Sequence, residues 1–270
     1  MRRALDWARR LFLLALLAFF LAPFLWLATT AYKPSSAIFS IPPRLTFTPT
    51  LDQFRSAFAV FDVPSLVESS LLIAGFSTLL SLVIGVPAGY ALARSESRLA
   101  MAVAYGFMGV RMIPAVAALI PFYLMMRDLH LLGSWVGVVL INAVLNSAFV
   151  TWMMFSYFRG LPKELEEAAL TDGCTPFGAF YKVALPAARS GIIASALFCT
   201  LFAWNDFLFP MFLTRLDSKP ISVALLSAYG TKDITWGTLG ALAHVSTIPI
   251  VLIVLWLNRY FVQGVARGVH

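Results

Sequence analysis

Residues 69–93 read SSLLIAGFSTLLSLVIGVPAGYALA and contain no charged side chain. A helix needs about 20 mainly apolar residues to cross the hydrocarbon core of a bilayer, at a rise of about 1.5 Å per residue. The stretch lacks the polar–apolar alternation of a barrel strand. Because every backbone polar group must find its partner within the segment when it lies in lipid, the stretch predicts a membrane-spanning helix.

Five further stretches share these properties, and the composition agrees with them. The chain is 60% hydrophobic and 12% charged, with a mean hydropathy of +0.83, whereas a soluble domain needs more charge to cover its surface. The predicted spans are Leu11–Tyr32, Ser69–Ala93, Leu99–Met126, Leu131–Phe158, Ser190–Thr214 and Ile234–Asn258. The predicted fold class is therefore an all-α membrane protein, with a cytoplasmic segment 1–10 and one transmembrane domain over 11–270.

The distribution of basic residues predicts the orientation. The first apolar run follows Met1-Arg2-Arg3 and is longer than the core of a signal peptide, so we expect it to remain as a membrane anchor. With the N-terminus inside, the inner segments hold more lysine and arginine than the outer ones. The positive-inside rule then predicts that both termini and the loop 159–189 are cytoplasmic, whereas the loop 33–68 lies outside.

Charge, cysteine and histidine usage exclude several other functions. The net charge of +7 comes from basic residues that lie mainly between apolar stretches, whereas a nucleic-acid-binding protein concentrates its basic residues on one solvent-exposed face. Two cysteines give neither a disulfide framework nor a zinc spacing, and three histidines are too scattered for a metal cluster. We therefore expect no nucleic acid, no metal and no disulfide.

The cytoplasmic loop contains a short predicted helix between Gly160 and Gly173, with the sequence GLPKELEEAALTDG. Pro162 suits the first turn and Gly173 suits the C-terminal stop. Three glutamates lie early, where the helix dipole favours negative charge. The pattern predicts about three helical turns outside the membrane.

One face of this helix is predicted to be apolar and small, since Leu161, Leu165, Ala168 and Ala169 recur at helical spacing. Helices that lie on lipid usually carry bulky anchors and a basic polar face. An acidic start and small apolar residues instead favour docking into a shallow groove of a partner protein, with an interfacial helix as the alternative.

The same segment resembles a known family. Glu167-Ala168-Ala169, three residues, Gly173, nine residues and Val183-Ala-Leu-Pro186 resemble the EAA loop of binding-protein-dependent ABC importer permeases, with Val183 in place of isoleucine. Segments 30–43, 203–214 and 259–268 are similar to those of the carbohydrate permeases of the maltose-transport type, second subunit. The resemblance implies the type I importer permease fold.

The resemblance also implies a docking site and partners. The loop would be the coupling helix that inserts into the ATPase subunit. The candidate docking residues are Glu166, Glu167, Ala168, Ala169, Leu170, Asp172, Gly173, Leu185 and Pro186. The implied partners are a second permease subunit, two ATPase subunits and an extracytoplasmic sugar-binding protein that meets the outer loops. The implied location is the plasma membrane of a bacterium or archaeon.

The chain is expected to do no covalent chemistry. No lysine directly follows a glycine or directly precedes a serine or threonine, so the phosphate-binding loop of an ATPase is missing. Neither a His-Glu-x-x-His nor a Gly-x-Ser-x-Gly motif occurs. We therefore predict no catalytic residue and no bound cofactor, with ATP and Mg²⁺ on the partner ATPase.

Polar residues within the predicted spans are candidates for the solute path, because they are costly in lipid. They are Arg111, Asn142, Asn146, Trp204, Asn205, Asp206 and His244. Each has an alternative role: Arg111 in an ion pair with Asp206 or Glu68, the asparagines in bonds between helices, Trp204–Asp206 in packing against the partner permease, and His244 as a core histidine.

Three other functions stay open from the sequence. The first is an ABC permease for another solute, such as a polyamine, phosphonate or amino acid. The second is a self-sufficient secondary transporter, a class that often shows internal repeats; we detect none in this chain. The third is a membrane enzyme, which the missing motifs disfavour. The favoured prediction is a permease for a sugar or sugar-like solute.

Overall fold

A computed structural model of the chain describes residues 2–229 and 235–267, with side chains for 6–229 and 235–256. Every regular element in these ranges is helical. Two compact units divide the chain: Met1–Val63 with Ala224–Ile248, and Pro64–Val223 with Pro249–His270. The all-α fold class is thereby confirmed, and we describe each unit by itself.

The first unit begins with a long apolar helix. Its elements are α1 (Arg2–Thr30), α2 (Ser35–Ile38), α3 (Asp52–Val60) and most of α13 (Ile221–Ala228), together with the start of α14 (Trp236–Arg267). The apolar stretch of α1 has no buried residue within the chain, and Phe19 is 74% exposed. A helix that is apolar and uncovered in this way fits lipid or a neighbouring chain as its surroundings.

The second unit holds the remaining helices. They are α4 (Val63–Arg94), α5 (Arg98–Met112), α6 (Ala115–Asp128), α7 (Trp135–Arg159), α8 (Glu164–Thr171), α9 (Pro176–Ala179), a π-helical turn (Phe180–Ala184), α10 (Leu185–Ala187), α11 (Arg189–Asn205) and α12 (Leu208–Leu213). Among the described residues, four helices are long and apolar enough to cross a membrane, or up to six if each of two bent pairs counts as one span.

The third predicted stretch, Leu99–Met126, is broken rather than continuous. Helices α5 and α6 meet at an angle of 94°. Pro114 has no N–H to continue the helical ladder, and its ring forces the preceding residue out of the helical region. Ile113 accordingly adopts φ −68° and ψ 124°. The apolar composition of the stretch predicted its length but not this turn.

The fifth predicted stretch is also interrupted, between α11 and α12. Asp206 is extended, with ψ 122°, and its carboxylate accepts a hydrogen bond from the N–H of Leu208 at 3.1 Å. This contact caps the short helix that follows. For the sixth stretch, Ile234 lies outside the described residues, as do the side chains of the tail that resembles the carbohydrate permeases.

Helices α4 and α7 pack closely through two glycines of α4. A Cβ atom at Gly89 would lie 2.8 Å from both the Met154 Cβ and the Thr151 carbonyl oxygen. At Gly85 it would lie 2.6 Å from the Val150 Cβ. Small residues four apart allow such backbone approach between membrane helices. The contact forms the centre of a core that also includes Val86 and Phe158.

Candidate functional site

The predicted docking helix forms, but it is shorter than expected. Helix α8 runs from Glu164 to Thr171 and contains 8 residues, or about two turns. It starts after Lys163, whose carbonyl accepts from the N–H groups of Glu166 and Glu167 at 3.0 and 3.1 Å. Pro162 therefore precedes the helix and is not part of its first turn.

Gly173 ends α8 in the way that its position predicts. Its φ is +88°, in the left-handed region that only glycine adopts freely. The Gly173 N–H donates to the Leu170 carbonyl and the Cys174 N–H donates to the Ala169 carbonyl, both at 3.0 Å. These two bonds form a Schellman motif, which satisfies the last carbonyls of the helix. The predicted helix stop is confirmed.

The buried face of α8 differs from the predicted one. Glu166 and Ala169 are each 8% exposed, whereas Leu165 is 47% exposed and Leu170 is 44% exposed. Leu165 and Ala168, predicted with Ala169 on one apolar face, thus point away from the chain. The apolar face predicted for a partner is thus largely uncovered, whereas the burial of Glu166 was not predicted, because the pattern treated it as a solvated residue although it has a buried partner.

That partner is Arg94, the last residue of α4. The Arg94 Nε lies 3.0 and 3.1 Å from the two carboxylate oxygens of Glu166, and Nη2 donates to the same carboxylate. The Tyr90 hydroxyl also donates to it, at 2.7 Å. Arg94 Nη1 donates to the Phe158 carbonyl at 2.9 Å. We call Tyr90, Arg94 and Glu166 the α8 latch.

The α8 latch was not predicted, and Glu166, a candidate docking residue, turns its carboxylate into its own chain. Its side chain is 11% exposed and that of Arg94 is 16% exposed, so the carboxylate is bound inside the chain. From the sequence alone, a glutamate in a short acidic helix is expected to face solvent, and only knowledge of its distant partner would change that expectation. The nearest signal was the basic Arg94 at the end of an apolar stretch.

The remaining candidate docking residues lie mostly on the surface. Glu167, Ala168, Leu170, Asp172, Gly173 and Pro186 are exposed, Leu185 is half-buried and Ala169 is buried. Two aromatic residues that the sequence analysis missed extend this surface: Phe177 is 75% exposed and Tyr181 is 62% exposed. Their spacing of four residues was the available signal, since it places both on one helical face.

A second, exposed ion pair joins the residue before α8 to the loop after α4. The Lys163 Nζ lies 2.9 Å from Glu96 Oε1, and the two side chains are 49% and 87% exposed. The hydrogen bond from Lys163, together with its charge, lowers the pKa of Glu96. Exposed pairs of this kind contribute little to stability, so this pair contrasts with the shielded one at Glu166.

Among the solute-path candidates, Arg111 and Asn146 lie together. Arg111 Nη2 donates to Asn146 Oδ1 at 2.9 Å, and its guanidinium carbon lies 4.1 Å from the centre of the Phe202 ring. The ion pair considered between Arg111 and Asp206 does not form between these two described residues, because an amide and an aromatic face surround the cation instead. Asn146 is 1% exposed, and its Nδ2 has no hydrogen-bond partner in the part of the chain that the structure describes.

Arg111 borders a cavity of about 660 Å³ at the break between α5 and α6. Val110, Pro114, Pro121, Phe122 and Val144 are among the residues that line it. An apolar cavity with a few fixed polar groups is the usual form of a small-molecule site. The arrangement offers N–H donors to an oxygen-rich ligand.

Asn142 and Asp206 form the second pair. Asn142 Nδ2 donates to Asp206 Oδ2 at 2.9 Å, and the Asp206 carbonyl accepts from the Ser222 hydroxyl at 2.7 Å. Asp206 therefore joins α7, α12 and the start of α13. Of its neighbours in sequence, Trp204 is buried, whereas Asn205 is exposed and donates to the Leu201 carbonyl. Trp204 and Asp206 therefore have structural contacts, and Asn205 is the accessible residue of the three.

His244 belongs to the first unit, whereas the other candidates belong to the second. Its Nε2 is 3.4 Å from the Tyr32 hydroxyl, and its ring meets Tyr32 and Phe54 edge to face, at 5.6 and 5.9 Å between ring centres. This aromatic surrounding agrees with the alternative of a core histidine. Within the described residues, no group of three His, Cys, Asp or Glu side chains could hold a metal ion.

Similar structures agree on the fold. A bacterial ABC transporter involved in the import of the acidic polysaccharide alginate matches with a TM-score of 0.80 and 22% identity, over 96% of this chain and 97% of the other. The MetNI methionine ABC transporter matches with a TM-score of 0.61 and 20% identity, over 74% and 94%. Identities this low support the fold alone.

Sequence comparisons reach further. The trehalose transport system permease protein SugB of Mycobacterium tuberculosis is 31% identical, over 99% of this chain and 97% of the relative. The probable ABC transporter permease protein y4oR of Sinorhizobium fredii is 32% identical, over 98% and 95%. The family described as binding-protein-dependent transport system inner membrane component matches residues 85–267. The chain therefore belongs to this family of multi-pass membrane permeases of ABC importers.

Proposed function

We propose that the chain is the transmembrane subunit of an ATP-driven importer for a sugar or sugar-like solute, such as a di- or oligosaccharide, a polyol or a sugar phosphate. The observation that carries the proposal is α8, a Schellman-terminated helix outside the apolar helices, with Leu165, Ala168 and Leu170 uncovered. An uncovered apolar face next to an acidic residue, Glu167, is suited to a protein groove. ATP hydrolysis takes place on the chain that supplies this groove.

The names of relatives favour a sugar over other solutes. Relatives matched over 83–97% of their length include permeases for trehalose, for sulfoquinovosyl glycerol and for diacetylchitobiose. All three solutes are sugars or sugar derivatives rich in oxygen acceptors. The second candidate is an importer of another solute class, which the fold permits because a methionine transporter shares it.

In this proposal the solute meets donor groups at the middle of the membrane helices. Arg111 lines the cavity, and its guanidinium contacts the Asn146 amide and the Phe202 ring. Arginine, amides and aromatic faces suit hydroxyl-rich ligands, since each hydroxyl oxygen accepts and each apolar ring face stacks. The exposed Asn205 is a further candidate contact, while Asp206 and Asn142 hold the helix break.

The proposed assembly contains this chain, a second permease, two ATPase subunits and an external sugar-binding protein, in the plasma membrane of a prokaryote. Closure of the ATPase pair moves α8, and the membrane helices change from inward-open to outward-open. Such a shift requires that each nucleotide state bind one conformation better than the other. The external protein delivers the solute to the outward-open state.

Docking is tested by charge reversal on α8. Glu167→Lys in the assembled importer should lower the amount of ATPase subunit that copurifies with the permease, because it reverses a charge on the uncovered face. Asp128→Lys, at the exposed end of α6, makes the same change in net charge elsewhere and serves as the matched control. Equal recovery of the ATPase with both variants would refute the docking assignment.

The solute class is tested by uptake into proteoliposomes that hold the assembled importer and its binding protein. We expect ATP-dependent uptake of at least one labelled sugar from a panel of trehalose, diacetylchitobiose and a sugar phosphate, and none of methionine. Uptake of methionine alone would reject the sugar assignment. Uptake by this chain without an ATPase would instead establish a secondary transporter.

A further inference from the structure

The acidic residues of α8 have two different environments. Glu167 is exposed, whereas the neighbouring Glu166 points into the chain and is held by Arg94 and Tyr90. A carboxylate that accepts hydrogen bonds from both an arginine guanidinium and a hydroxyl is held in one orientation. Glu166 is therefore the residue that orients the docking helix with respect to its own chain.

Arg94 connects three elements at once. It is the last residue of α4, its fork binds Glu166 of α8, and its Nη1 donates to the carbonyl of Phe158 in the last turn of α7. That carbonyl belongs to the last turn of α7, where it also accepts from the Leu161 N–H at 3.2 Å, and the positive guanidinium suits the negative end of the helix dipole. The Arg94 guanidinium thus connects two long apolar helices, α4 and α7, to the short helix α8.

The Tyr90 ring contacts two other aromatic rings next to the Arg94–Glu166 pair. It lies 5.3 Å from the Phe158 ring and 4.6 Å from the Phe180 ring, measured between centres. Phe180 begins the π-helical turn that follows α9. The latch is therefore packed from both sides, and its small exposure limits screening by salt, which weakens exposed ion pairs far more.

From these contacts we propose that Glu166 is a positioning residue for transport: through Arg94 and Tyr90 it makes α8, α4 and the end of α7 move as one body. A displacement of α8 is then transmitted to the membrane helices, because the loop between them does not flex. The proposal rests on the docking of α8 proposed above. Without the latch, the ATPase would still bind and hydrolyse ATP, but the movement would not be transmitted.

The direct test is a distance measurement in the assembled importer. Spin labels at Thr171→Cys in α8 and Leu79→Cys in α4, both exposed sites, are introduced with Cys174 replaced by serine. With the latch intact, we expect one narrow distance distribution that is the same with and without ATP and vanadate. Glu166→Gln should broaden it or split it when vanadate traps the nucleotide.

Matched variants separate the latch from a general loss of structure. Glu96→Gln removes the exposed ion pair with Lys163 and should leave the distribution narrow. Arg94→Gln should broaden the distribution at least as much as Glu166→Gln, because it removes the shared ion pair and also the hydrogen bond to the Phe158 carbonyl. Adding Glu166→Gln to Arg94→Gln should change the distribution little further, because the shared ion pair is already lost. Arg94→Lys keeps the charge but not the fork, so a narrow distribution with lysine would overturn the proposed role of the fork geometry.

A functional readout completes the test. Glu166→Gln should retain the ATPase subunit and basal ATP hydrolysis, but lose stimulation of hydrolysis by the external binding protein roughly fivefold or more, the lower range of coupling between sites. Unchanged stimulation together with a narrow distribution would overturn the proposal. If the ATPase bound equally well to Glu167→Lys, the docking proposal would fail instead, while the distance measurement would still report on the latch.

Discussion

The close approach of α4 and α7 makes a quantitative prediction about one methyl group. In Gly89→Ala, the new Cβ would lie 2.8 Å from the Thr151 carbonyl oxygen and 2.9 Å from the Phe155 nitrogen. Both are backbone atoms of α7, which cannot rotate away as a side chain can. The two helices must therefore separate locally, or the side chains around Met154 must leave their preferred rotamers.

The size of the effect follows from two opposing contributions. Alanine is favoured over glycine within a helix by about 0.8–1 kcal/mol, while forcing an extra methyl group into a packed core costs about 1–3 kcal/mol. Gly75 lies in the same helix, and a Cβ atom added there would meet no atom of the described residues within 4 Å. Gly75→Ala thus has the first contribution without the second, and the two variants should differ in unfolding free energy by about 1–3 kcal/mol.

The assay is thermal unfolding of the purified importer in detergent, followed by the fraction that remains monodisperse after heating. For a chain of this size, each kcal/mol shifts Tm by about 2–4 °C. Gly89→Ala should therefore have the lower Tm of the two variants, by roughly 2 °C or more. Equal Tm values for Gly89→Ala and Gly75→Ala would refute the packing argument, because helix propensity is the same in both.

Three other predictions follow from single residues. Gly173→Val should lower the helicity of α8 and the amount of ATPase that copurifies, because valine is strained at φ +88°. Gly160→Val, at a helical φ of −80°, is the control. Equal losses in the two variants would contradict the role of the left-handed conformation. Arg111→Gln should weaken solute uptake at unchanged ATPase binding; a normal uptake KM would remove Arg111 from the solute path. Because the Glu96 pKa is lowered in the folded chain, the Lys163 pair stabilises the fold slightly above the ordinary glutamate range and loses this effect as the pH falls below that range. Glu96→Gln should therefore lower Tm only slightly at neutral pH and not at strongly acidic pH; a large loss of Tm at neutral pH would contradict the small contribution of an exposed pair.

The membrane class and the short helix α8 with its glycine stop could be predicted because their signals are local. Long uncharged stretches require helices in lipid, and a glycine after a short acidic helix requires a left-handed stop. The break at Pro114 could also have been inferred, since Ile113 cannot remain helical before a proline. Composition hides it, because a bent pair and a straight span have the same apolar content.

The inward direction of Glu166 could not be predicted, and neither could the pairing of Asn142 with Asp206. Each depends on a partner 64 or more residues away in sequence, and helical periodicity reports only which residues share a face. A buried carboxylate therefore looks the same as a solvated one until its cation is located. The choice for Arg111, between an ion pair and a cavity-lining group, was open for the same reason.

The right-angled break after α5 also changes how charge is balanced inside the membrane helices. Arg111 lies in the last turn of α5, where the peptide dipoles end in unpaired carbonyl oxygens and stabilise a cation by about 0.3–1 kcal/mol, or more when partly buried. Part of its countercharge is thus made of backbone. If Pro114 were replaced and the two helices ran straight through, those oxygens would return to the helical ladder, and Arg111 would have to obtain a carboxylate or water in their place.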